Sequence, residues 1–173
     1  GEVDFGILFE PHSYRDLTVR AFVEVVLGFI TPPGHPLGEL SEARFSAAIG
    51  EPLIVPAEVL AISQQIAVLE GTTGMDMSRI ATSDNIQMIA SLVQAGAGVG
   101  ILSSLDVITE VQAGQVSFTR ISDALLRPMT LALCTNSART PSYAASLVLS
   151  EIENGFAGLS YVESMLSTEE NDA

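Results

Sequence analysis

Apolar positions in this chain come in short blocks, separated by turn-forming residues, and the spacing inside each block changes from strand-like to helix-like and back. Residues 3–9 combine β-branched, aromatic and aliphatic side chains and predict a buried strand. Residues 11–16 are a polar connection, and 17–30 are rich in Val, Phe and Ile without a helical stripe. That stretch predicts one or two consecutive strands, stopped by the Thr-Pro-Pro-Gly run at 31–34. Residues 35–48 predict a loop with a short helix, and 51–55 the next strand. Ile62, Ile66 and Leu69 recur at helical spacing over 62–70, with a stop near Gly71. A short strand is expected at 78–82.

The most fully specified helix covers 84–95, where Ile86, Ile89, Leu92 and Val93 form an apolar stripe. Ser83 or Asp84 can cap it, Gln87 can complete a capping box from Asp84, and Gly96 supplies the stop. Residues 99–102 predict a strand. Ser103 and Asp106 form a second capping-box signature, opening a helix that ends at Gly114. Two strands follow at 116–121 and 129–134. Thr140 then reads as a cap with Pro141 at the first helical position. Ala145, Val148, Leu149, Ile152 and Phe156 fall on one face of the terminal helix. Strands alternating with helices predict an α/β fold with largely parallel sheets.

Composition narrows what such a fold could do. The chain of 173 residues is 47% hydrophobic, enough apolar material for a core in one domain or two small ones. Seven Arg and Lys against 21 Asp and Glu leave a formal charge of −14. Nucleic-acid affinity rests on cations that neutralise phosphates, so this segment is not expected to bind DNA by itself. The lone cysteine, Cys134, cannot form an internal disulfide and sits in an apolar run, which predicts a small core residue. No apolar run approaches the roughly 20 residues needed to span a bilayer. The end of the chain, 167–173, is polar and acidic and is expected to fray.

Few residues nominate chemistry. Gly96, Gly98 and Gly100 superficially match a dinucleotide fingerprint, but they follow a helix and precede a strand. A phosphate cradle requires the reverse order, so a helix stop and tight turn is the better reading. His12 and His35 lack metal-ligand spacing with Cys134, and no G-x-S-x-G elbow presents a serine. No metal, cofactor or catalytic residue is expected, and the chain does not read as an enzyme. The polar spot of most interest is the run Thr82, Ser83, Asp84, Asn85. Its hydroxyls, amide and helix N–H groups are donor-rich and suit a carboxylate or phosphate, whereas plain capping explains Ser83 or Asp84 without a ligand.

In order, the landmarks resemble the effector-binding domain of LysR-type transcriptional regulators. Residues 1–7 (GEVDFGI) are similar to that family's G-x-x-D-h-x-I strand, where h is hydrophobic. Residues 26–37 (VLGFITPPGHPL) resemble its strand ending in P-x-x-H-P-L, and 51–54 (EPLI) the next strand. Thr82 and Ser83, followed by 92–102 (LVQAGAGVGIL), resemble the S…L-V-x-A-G-x-G-h-x-h-L segment, and 114–116 (GQV) a late strand start. Five landmarks in order cover about residues 1–158. Ser103 stands where the family usually has proline.

The resemblance implies a type II periplasmic-binding-protein-like fold, with two Rossmann-like lobes joined by crossing strands. Lobe two would comprise 23–102, lobe one 1–22 with 103–158, and 159–173 an acidic C-terminal tail. Family members place a winged helix-turn-helix, a linker helix and the first strands of lobe one before the point matching Gly1. Lobe one is therefore expected to be incomplete in this chain, and DNA contact to belong to the absent helix-turn-helix. The implied function is ligand sensing in a cytoplasmic homodimer or homotetramer, a small effector, with carboxylates among the candidates, binding between the lobes. Phe9, Glu10, Val55, Pro56, Ala57, Thr82, Ser83 and Asn85 would line that site, and Phe22, Val25, Leu102 and Ser104 the hinge. A secreted solute-binding protein of a transporter, with the same fold, is the alternative.

Overall fold

The computed structural model describes residues 3–11, 14–74 and 77–168, with side chains through residue 159 of the last helix. His12 and the end of the acidic tail, 169–173, lie outside the described residues. Two compact units emerge, one built from 1–25 and 128–173, the other from the continuous stretch 26–127.

In the first unit, β1 (Phe5–Phe9), β2 (Leu17–Val25) and β9 (Met129–Asn136) form a sheet in the order β1-β9-β2. Both pairings are antiparallel, with Ile7 opposite Leu133 and Val25 opposite Met129. The central strand β9 is buried across Ala132, Leu133, Cys134 and Thr135, which explains its continuous apolar run. A register shift between Val19 and Ala21 places Arg20 at an irregularity, from which its Nε donates to Glu153 on α4 at 2.8 Å. Helix α4 (Tyr143–Thr168) buries Ala145, Leu149 and Phe156, while Val148 is half exposed. The helix continues well past residue 159, where the tail was expected to begin.

The second unit holds a six-stranded sheet in the order β4-β8-β3-β7-β5-β6. Its strands are β3 (Leu27–Thr31), β4 (Glu42–Ala43), β5 (Leu53–Pro56), β6 (Arg79–Ser83), β7 (Val99–Ser103) and β8 (Ser117–Ile121). Every residue of the inner strands β3, β5 and β7 is buried, whereas the edge strand β6 is partly or wholly exposed throughout. Helices α1 (Ala61–Thr73), α2 (Ile86–Gln94) and α3 (Ile108–Gln112) connect the strands. The long segment at 35–48 resolves into two single turns, Pro36–Glu39 and Phe45–Ala48, flanking β4.

The expectation of largely parallel sheets is corrected. The first sheet is wholly antiparallel, and in the second only β4–β8, β5–β6 and β5–β7 run parallel. Strand β3 is antiparallel to both β7 and β8, so the middle of the second sheet is antiparallel. The division between units also differs from the expected one. The chain passes between them at residues 25–26 and 127–128, so 103–127 belong with the second unit, where β8 pairs with β3. Of the expected hinge residues, Val25 ends β2 at a crossing and Phe22 lies within β2, opposite Ala132. Leu102 and Ser104 sit inside the second unit: Leu102 pairs with Gly28, and Ser104 Oγ accepts from Val26 N–H at 3.2 Å.

Three helix ends move for local reasons. Helix α1 carries through Gly71 and stops at Gly74, whose φ of 63° only glycine adopts without cost. The cap of α2 is Asn85 rather than Ser83 or Asp84, so the Asp84–Gln87 box is not the device used. Ser83 still belongs to β6, which leaves Asn85 as the last extended residue, its Oδ1 accepting from Met88 N–H at 3.2 Å. At α4, Ser142 Oγ takes the capping bond from Ala145 N–H at 3.2 Å, two residues beyond Thr140. The Ser103–Asp106 box forms as written. Asp106 Oδ2 accepts from Ser103 N–H at 3.1 Å, and Ser103 Oγ from Asp106 N–H at 3.3 Å.

Candidate functional site

Because β5, β6 and β7 run parallel, their carboxyl ends share one edge of the second unit's sheet. Such an edge concentrates helix N-termini, and open α/β sheets bind ligands there. Pro56 is opposite Ser83, and Ala57 N–H donates to Ser83 O at 2.8 Å, which extends the β5–β6 ladder one bond past the strands. The residues expected from sequence at Val55, Pro56, Ala57, Thr82, Ser83 and Asn85 are thus brought together on two neighbouring strand ends.

Their states differ. Val55 and Pro56 are buried in the sheet, while Thr82 and Asn85 are exposed. Ser83 is committed locally: its Oγ accepts from Asn85 N–H at 3.1 Å and lies 3.4 Å from Asn85 O. With the Asn85 Oδ1 occupied by the α2 cap, the donor this exposed side chain can offer a ligand is its amide Nδ2. Helix α1 also begins near this edge, directly after β5. Its N-cap is Leu60, which has no side chain to accept from the first turn. Ser63 Oγ instead donates back to Leu60 O at 2.7 Å. Glu58 and Asp84 are exposed beside these donors. The edge therefore offers neutral hydrogen-bond donors within a locally acidic surface.

Phe9 and Glu10 close β1 in the first unit. Phe9 is 37% exposed and pairs with Leu131. Glu10 has φ of 50°, the single non-glycine positive φ among the described residues. Its N–H donates to Thr130 O at 2.8 Å and its Oε1 accepts from Thr130 N–H at 2.8 Å. No sequence signal marks this pairing, whose partners are 120 residues apart.

The glycine run behaves as a packing device. Gly96, at φ 75°, ends α2 with bonds from Gly96 N–H to Val93 O and from Ala97 N–H to Leu92 O. A side chain at Gly98 would collide with the Pro52 carbonyl, and one at Gly100 with Ile30. His35 serves its turn: Nδ1 accepts from Leu37 N–H at 3.2 Å, and Nε2 lies 3.6 Å from Glu51. Cys134 is buried, and desolvation pushes its thiol pKa up. Among the described residues no group of His, Cys, Asp or Glu is arranged to hold a metal ion, and no helix is long and apolar enough to cross a membrane.

Comparison with known proteins places these features. The family model for the LysR substrate binding domain matches residues 1–157. The probable RuBisCO transcriptional regulator of Cyanidium caldarium is 28% identical over 158 residues, or 88% of this chain and 50% of that protein. The chain thus spans half the length of this curated relative. The regulatory domain of Synechocystis CcmR, solved in complex with 2-PG, aligns with a TM-score of 0.68 at 18% identity, covering 90% of this chain and 74% of that one. The effector binding domain of QuiR, in complex with shikimate, gives 0.63 at 15% identity, covering 94% and 73%. At such identities these structures establish the fold, a type II periplasmic-binding-protein-like α/β architecture. With its family model matched from residue 1 to residue 157, the chain belongs to the LysR substrate-binding domain family.

Proposed function

We propose that this chain is the ligand-sensing portion of a cytoplasmic LysR-type transcriptional regulator, and that its second unit contacts a small anionic effector through Thr82, Asn85 and the uncapped start of α1. The observation that carries the site is the exposed pair Thr82 and Asn85 at the carboxyl end of β6, together with a helix following β5 whose first N–H groups have no side-chain cap. CcmR and QuiR were solved with 2-PG and shikimate, both small acids, which supports the effector class. The matched relatives are transcriptional regulators, and no observation favours a secreted solute-binding protein. DNA contact would belong to a helix-turn-helix outside this sequence, in a homodimer or homotetramer. The effector acts only to the extent that it prefers one arrangement of the protein over another.

Calorimetry against a panel of small carboxylates and phosphorylated acids, with 2-PG and shikimate included, tests this reading. Binding of at least one is expected. Thr82→Val should then weaken it about tenfold, the cost of one hydrogen bond to a charged group. Asn85→Asp keeps a capping oxygen but exchanges the donor for negative charge. It should weaken binding further while leaving the unfolding midpoint unchanged. A tight binder whose affinity ignores both substitutions would remove the site from this edge.

A further inference from the structure

The ends of β1 and β9 carry a feature that neither strand pairing nor the proposed effector site uses. Beyond Phe9 the chain turns out of the extended region at Glu10, with φ of 50°. A residue with a Cβ enters this left-handed region at an energetic cost, and holds it only when its surroundings fix it. What fixes Glu10 is Thr130. The backbone N–H of Glu10 donates to Thr130 O, and its carboxylate accepts from Thr130 N–H, both at 2.8 Å. The carboxylate thus takes the place that the backbone carbonyl of Glu10 itself would have held had β1 continued in register. It completes the ladder while letting the chain leave.

Thr130 is not an arbitrary partner. The chain enters the first unit at Pro128, so Thr130 is the third residue of that passage. On the other side of β9, Thr130 is opposite Glu24 and Met129 opposite Val25, the residue at which the chain leaves the same unit. Both connecting strands therefore run through one end of this small sheet, and Glu10 clasps that end from the β1 side.

We infer that Glu10 is a latch, a positioning residue whose carboxylate fixes the first residues of β9 and so sets the stiffness of the incoming connection. Proline at 128 has no N–H to donate, and the bond to Thr130 N–H is made by a side chain, so the latch can open without breaking the strand ladder.

Residue-resolved hydrogen exchange on the 173-residue chain reads this directly. Glu10→Ala and Glu10→Gly should each speed exchange of the Thr130 amide at least tenfold while leaving Ala132 and Leu133, deeper in the ladder, within about threefold. The glycine variant separates the roles, because it relieves the positive φ but still removes the acceptor. Glu10→Gln retains an oxygen at the same reach and should keep Thr130 protected. Unchanged Thr130 exchange in the alanine and glycine variants would overturn the latch. So would loss of protection in Glu10→Gln, or acceleration spread evenly over Thr130, Ala132 and Leu133, which would mark a general weakening of the sheet.

Discussion

Gly98 and Cys134 show how differently two small side chains can be constrained. Gly98 sits where the turn after α2 passes over the end of β5, and a Cβ there would press on the Pro52 carbonyl oxygen. That oxygen is already used, accepting from Val99 N–H at 2.9 Å to start the β5–β7 ladder. Neither atom can retreat without breaking the bond. Gly98→Ala should therefore cost about 2 kcal/mol by the usual magnitude of overpacking, visible as a lower urea midpoint. Cys134 is constrained by burial instead. Its side chain is buried in the middle strand of the first sheet, and desolvation raises its pKa, so little thiolate forms at neutral pH. A thiol reagent should react with the folded chain only as fast as the sheet opens, and at the free-cysteine rate in denaturant. Rapid labelling of the native protein would show that the strand is not packed as described.

At the level of elements, the hydrophobic pattern and the caps were legible to different degrees, for physical reasons. Strand existence at 3–9, 17–30, 51–55 and 129–134 followed from continuous apolar runs. Burial accounts for the runs in β3, β5 and much of β9, but not for those in β1 and β2: β1, expected to be buried, has no fully buried residue, and β2 buries only Val23 and Val25. Strand direction did not follow, since a run of Val, Ile and Leu reads the same in either sense and pairing is decided by partners far along the chain. The Ser103–Asp106 box was legible because both halves lie within four residues. The caps at Asn85 and Ser142 were not, because Ser83, Asp84, Thr140 and Asn85 are all chemically able to cap, and the strand or proline before them selects which one is extended last. Ser142 supports the start of α4, so Ser142→Ala should destabilise the chain by about 1 kcal/mol whereas Thr140→Ala should be near neutral. Equal effects in thermal unfolding would return the cap to Thr140. The candidate site divides the same way. Its strand ends were found through the family resemblance, but which of its polar atoms remain uncommitted depends on hydrogen bonds that only the folded backbone defines.

The whole molecule is built unequally. The second unit is one uninterrupted segment, 26–127, whose sheet, helices and turns close on themselves. Its internal ties span the segment: Ser104 N–H donates to Val26 O at 2.9 Å, Phe45 N–H to Asp123 Oδ2 at 2.6 Å, and Gln65 Nε2 to Arg127 O at 3.4 Å. Phe29, Phe45, Ile54, Leu69, Ile89 and Ile101 are all fully buried within it, with the Phe29 and Phe45 rings stacked at 6.4 Å. The first unit, in contrast, is assembled from two pieces separated by the entire second unit, and its sheet has only three strands. A continuous segment pays loop-closure entropy only within itself, whereas the split unit must also bring distant pieces together. A fragment comprising 26–127 should therefore fold alone, with a cooperative denaturant transition and the circular dichroism of a mixed sheet and helix. The fully buried side chains above give it a core of its own. If the fragment instead stays unfolded, its stability is borrowed from the remainder of the chain, and substitutions such as Thr82→Val would have to be judged only in the intact protein.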